Sequence, residues 1–179
     1  MTATAAGRLL LLLLLGRWTA LFLLWPMRQD VIGASFLHTI SIPFHEAGHI
    51  LFAPFGSVIA ALGGSLAQVL VPIVCLMAFL TTNPNPFGAA VTAWWSGQNL
   101  MDVAVYIDDA RALQLVLLGG RTGAEVEGHD WEFILASWQL LHRDHQIAAV
   151  VQGIGALTML VALVWGCLLV RDRQPDRTS

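Results

Sequence analysis

The sequence predicts an all-α integral membrane protein, a bundle of four to five transmembrane helices with one interfacial amphipathic helix. Three observations predict it. Of 179 residues, 56% are hydrophobic and 12% charged, where a soluble domain carries about 25% charged residues. The apolar residues fall in runs of about 20, the length that crosses a bilayer. Asn/Pro and Gly clusters separate the runs and interrupt helices.

The first run, residues 8–27, reads RLLLLLLLGRWTALFLLWPM. Arg17 lies in its middle and must snorkel or face protein. No clear Ala-x-Ala site follows, so a retained helix is favoured over a cleaved signal peptide. A second apolar segment covers 33–55, and a helix break is expected near Pro54 and Gly56. A third covers 63–82 and ends at TTNPNPFG. A fourth runs from Phe87 to Ile107, with an extension through ARALQLVLL to Leu118 left open. The stretch GGRTGAEVEGHD, 119–130, reads as a solvated loop. WEFILASWQLLHRDH follows, setting Phe133, Ile134, Trp138, Leu140 and Leu141 against Glu132, Gln139, Arg143 and Asp144. This amphipathic pattern suits the membrane interface. The last apolar run, 147–170, is the clearest span.

The chain therefore divides into an N-terminal helix or signal anchor (1–30), a membrane core (31–118), a polar loop with an interfacial helix (119–145), a C-terminal helix (146–171) and a polar tail (172–179). Arg171, Arg173 and Arg177 place that tail in the cytoplasm by the positive-inside rule. Five spans would then put the N-terminus outside, against the pull of Arg8. The expected location is a bacterial cytoplasmic membrane. The expected partners are the lipid bilayer and a membrane protein. A net charge of -3 without a basic stripe offers nothing to a nucleic acid. Cys75 and Cys167 lie in apolar runs, too far apart for a Cys-based metal site or a disulfide framework, and read as packing residues.

One motif carries chemistry. His45-Glu46-Ala47-Gly48-His49 places two imidazoles four residues apart, about 40° apart around a helix at roughly 100° per residue. Both can bind one zinc ion, with Glu46 one step round to accept a proton from water. Gly48 lets another backbone approach. His38 stands two turns before His45, too far along the axis to share an ion. A third metal ligand is needed. Asn99, Asp102, Tyr106 and Asp109 share one helical stripe, and Asp102, inside an apolar run, is the favoured ligand. Alternative ligands are Asp108, Asp109, His129 and His145. Asp130 reads as an N-cap or first-turn acid.

His45-Glu46-Ala47-Gly48-His49, then GGSLAQ at 63–68, then NLMD at 99–102, occur in an order that resembles the site-2 protease family of intramembrane zinc metalloproteases. The resemblance covers roughly 36–110. It implies a metalloprotease-like membrane core with one zinc ion, His45 and His49 as ligands and Glu46 as general base. Ser65 stands where that family often has Pro, and Gln68 where it often has Asn. Asp102 occupies a usual Pro position, and no Asp-Gly follows. Gln68 and Asn99 are candidates for positioning a substrate strand, or for interhelical contacts. The expected activity is that of a zinc metalloendopeptidase acting on membrane-embedded protein substrates. The alternative is a non-catalytic metal-binding membrane protein, a scaffold or transporter-like, on the same fold.

Overall fold

The computed structural model describes residues 3–171; the expected polar tail, 172–179, lies outside the described residues. The described chain is helical without strands. Its helices are α1 (Ala3–Leu24), α2 (Gln29–Ile32), α3 (Phe36–Phe52), α4 (Ser57–Thr81), α5 (Pro86–Asp108), α6 (Asp130–Ser137) and α7 (Asp144–Arg171). Among the described residues, Ala3–Leu24, Ser57–Thr81 and Leu141–Arg171 are long and apolar enough to cross a membrane. They turn Leu13, Leu24, Val74, Val150 and Val164 outward, a surface that suits lipid better than water.

Helix α5 is the inner element. It packs against α7 on one side and α4 on the other; α3 lies on α4, and α1 on α7. Its capping is set locally. Asn85 Oδ1 accepts from Gly88 N at 3.1 Å, and Pro86 takes the first helical position, where no N–H is needed. Gly97 and Gly155 let α5 and α7 touch through their backbones. A Cβ on either would lie 2.8 Å from the other's carbonyl oxygen.

The turn between α3 and α4 forms where the sequence puts Pro54 and Gly56. Ala53–Phe55 is a single 3-10 turn, and Gly56 has φ +99°, a conformation that favours glycine. Helix α4 therefore begins at Ser57, earlier than the 63 expected from the apolar run, and folds straight back along α3.

Two other expectations change. Helix α5 ends at Asp108 and does not continue to Leu118. Asp109 stops it: its carboxylate accepts the backbone N–H groups of Gln114 and Leu115 at 2.9 and 2.8 Å, holding the chain in a loop. The amphipathic stretch 131–145 is not one helix either. Helix α6 stops at Ser137, Gln139 takes φ +57°, and a 3-10 turn at Leu141–Arg143 leads into α7. Two anchors hold this reversal. Trp131, Ile134 and Leu135 are buried against Val103, Ile107 and Ala148. The buried Asp144 carboxylate accepts from Arg111 Nε at 2.7 Å.

Candidate metal centre

Helix α3 carries the motif. Ser35 caps it, its Oγ accepting from His38 N at 3.2 Å. At the other end of the helix, His45 and His49 stack edge to face with ring centroids 4.8 Å apart. Their Nε2 atoms converge on one oxygen, Asp130 Oδ2, at 3.1 Å from His45 and 3.3 Å from His49. Four donors set tetrahedrally at about 2.0–2.1 Å from zinc stand about 3.3–3.4 Å from each other. Two imidazole nitrogens and a carboxylate oxygen at this spacing could hold a metal ion.

The far side of each ring is also engaged. His49 Nδ1 lies 2.8 Å from the carbonyl oxygen of Ala60. That oxygen can only accept, so Nδ1 carries a proton and Nε2 is the nitrogen left facing the centre. His45 Nδ1 lies 3.1 Å from Gln68 Oε1.

Asp130 reaches this position through tertiary contacts. It lies 85 residues from His45, at the start of α6. Its N–H donates to the Tyr106 hydroxyl oxygen at 3.0 Å, and that hydroxyl donates back to Asp130 Oδ2 at 3.3 Å. Trp131 Nε1 donates to Ser65 Oγ at 3.0 Å, tying α6 to α4. The N-cap role belongs to His129, whose Nδ1 accepts from Glu132 N at 3.1 Å. Burial holds the His129 imidazole below its ordinary pKa, against the pull of Asp109. The ring is then neutral with its proton on Nε2, 3.3 Å from Asp109 Oδ2.

The other sequence candidates go elsewhere. Asp102, the favoured third ligand, is not in the group: its carboxylate lies 2.8 and 3.0 Å from His38 Nδ1 and accepts from Gln68 Nε2 at 2.5 Å. Asp108 meets His145 Nδ1 at 2.6 Å near the start of α7. Asp109 and His129 brace the base of the loop. Asn99 is fully buried; it accepts from Ser41 Oγ at 2.6 Å and donates to the Gln68 carbonyl at 2.7 Å. Those bonds join α3, α4 and α5. The member of the group that spacing could not find is Asp130. Its only local signal, an acid at a helix start, has an ordinary capping explanation.

A cavity of about 1110 Å³ opens on the group. His45, His49, Asp130, Glu46 and the loop residues Leu117 and Leu118 line it. Glu46 is exposed to this space. Comparisons with protein-family models, curated proteins and solved structures find no match.

Gly64 forms the floor beneath the two imidazoles. A Cβ there would lie 2.5 Å from His45 Nε2 and 2.7 Å from His49 Cε1. These are the ends of side chains, so the rings would move while the helices stay. Gly64→Ala is therefore expected to keep the thermal transition in detergent and to weaken zinc binding by on the order of tenfold or more, as loss of an outer partner does. Unchanged zinc affinity by chelator competition would show that the rings have room to spare.

Proposed function

We propose that this chain is an intramembrane zinc metallopeptidase that hydrolyses peptide bonds of membrane-embedded protein substrates. The observation that carries the reading is the convergence of His45, His49 and Asp130 on one point, with Glu46 facing the same cavity. The donor set suits zinc: two neutral nitrogens and one carboxylate leave the open position that a catalytic centre needs. When bound, the ion supplies a Lewis acid that acidifies water and polarises the scissile carbonyl.

The chain's residues supply the rest. Glu46 accepts the proton of the attacking water and returns it to the leaving amine. Asp130 provides a negative charge held in place by Tyr106. The helix carrying Glu46 ends at Phe52 and the chain turns at Gly56, and the loop before α6 walls the cavity without closing it, so water and an unwound peptide segment have a way in. The ordering of the motifs supports likeness to the site-2 protease family, with the third ligand drawn from α6.

In this reading α5 crosses the membrane inside the bundle, shielded by α4 and α7, so its lower hydropathy is tolerated. Its 23 residues rise about 35 Å. The 17 residues of α3 rise about 25 Å, short of a hydrocarbon core of about 30 Å. The site then lies below the surface, reached by a helix that does not fully cross.

The test uses the full chain and Glu46→Gln, purified in detergent. Zinc is measured by elemental analysis, and cleavage is followed on single-span membrane substrates. One zinc in each, with cleavage reduced about 10²–10⁴-fold in the variant, is the expected result. Zinc without cleavage in either protein would favour a non-catalytic metal-binding role. No zinc in either would end the metal reading.

A further inference from the structure

A carboxylate in the middle of a membrane-level helix needs a purpose. Asp102 is buried, on α5, and does not face the point where His45, His49 and Asp130 meet. It heads a chain of hydrogen bonds that ends there. Asp102 Oδ2 accepts from Gln68 Nε2 at 2.5 Å, and Gln68 Oε1 lies 3.1 Å from His45 Nδ1. Behind it, His38 Nδ1 contacts both carboxylate oxygens.

An amide side chain can face either way, and the two orientations have opposite consequences. With the –NH2 toward Asp102, the amide oxygen faces His45 and requires a proton on Nδ1. His45 Nε2, 3.1 Å from Asp130 Oδ2, is then the ring nitrogen left to bind a cation. With the amide reversed, the –NH2 would donate to Nδ1 and force the proton onto Nε2, where it would point at Asp130 and block a cation. The reversed amide would also set its oxygen against the Asp102 carboxylate, two acceptors facing without a hydrogen. The carboxylate therefore selects the first orientation. His49 needs no such device, because a backbone carbonyl already fixes its Nδ1 proton.

We infer that Asp102 is a positioning residue which, through the Gln68 amide, holds His45 in the tautomer that can bind a metal. The inference rests on the metal reading of His45, His49 and Asp130 for its purpose, but not for its test.

The test has two readouts. The first is the ¹⁵N spectrum of His45 in the metal-free protein in detergent. With Asp130→Ala removing the acceptor beside Nε2, the chain is expected to show Nδ1 protonated, and the further change Asp102→Leu a mixture of tautomers. The second is zinc affinity by chelator competition, expected to fall about 10–100-fold in Asp102→Leu, the usual effect of losing an outer partner. Should that variant misfold, Gln68→Met removes the next link, with the same expected outcomes. The double variant Gln68→Glu/Asp102→Asn reverses the middle bond yet keeps each pairing. The carboxylate introduced at position 68 accepts from both His45 Nδ1 and the new amide at position 102, whose oxygen still accepts from His38. The double variant is expected to restore the tautomer and the affinity. A His45 tautomer unchanged in Asp102→Leu and in Gln68→Met would overturn the proposal. So would a double variant no better than the single ones. If the native chain bound no zinc, the metal reading would fall, while the tautomer measurement would still decide the relay.

Discussion

Asp130→Ala is expected to abolish zinc binding at micromolar concentration, while Asp102→Ala leaves a weaker site that fills at higher zinc. The distinction follows from where the two carboxylates point. Asp130 Oδ2 lies 3.1 and 3.3 Å from the two Nε2 atoms, so its removal takes away both a donor and the negative charge at the meeting point. Asp102 acts two hydrogen bonds away from His45 Nδ1, where loss typically weakens metal affinity about 10–100-fold. Titrating zinc against a chelator on both variants in detergent ranks them. If Asp102→Ala were the more damaging, the third donor would be Asp102 after a rearrangement of α5, and the assignment to Asp130 would fail. Tyr106→Phe should fall between native and Asp130→Ala, since it frees one side of the Asp130 carboxylate without removing it.

Gly48→Ala is expected to damage the fold and the site together. A Cβ on Gly48 would lie 2.1 Å from the Gly63 carbonyl oxygen and 2.8 Å from Ala67 Cβ. The nearest obstacle is backbone of α4, which no rotamer change can move, so α3 and α4 must separate. Overpacking of this kind costs about 1–3 kcal/mol, occasionally more, and separated helices leave little to recover it. The same movement carries His45 and His49 away from Gln68 and the Ala60 carbonyl, so zinc binding should be lost as well. Gly153→Ala is the control: it lies on α7 with nothing within 4 Å, and alanine there should be neutral or stabilising by up to about 1 kcal/mol. Thermal unfolding in detergent compares them. Equal transitions for the two variants would show that the α3–α4 contact is looser than described.

How much of the site can be read in advance depends on distance along the chain. His45, Glu46 and His49 come together through the helical repeat alone, so their spacing carries the geometry. The break at Pro54 and Gly56 is equally local, because a turn residue acts on its own backbone. Asp102 stood out for its setting, an acid in an apolar helix. That setting indicates that a buried charge has partners, but not which ones. Its partners, His38 and Gln68, lie on two other helices.

Local sequence suffices for the helical, membrane-suited character of the chain and for the face on which two imidazoles and a carboxylate sit. Apolar content and the period of 3.6 residues are properties of short segments, so they can be read without distant contacts. Which carboxylate completes the group is settled instead by tertiary packing. That choice depends on where Asp109 ends α5, how the loop returns, and how Trp131 and Tyr106 seat α6 against α4 and α5. Each is a contact between segments that the chain leaves far apart. The acid at the head of an eight-residue helix acquires its role only when those contacts bring it to the histidines.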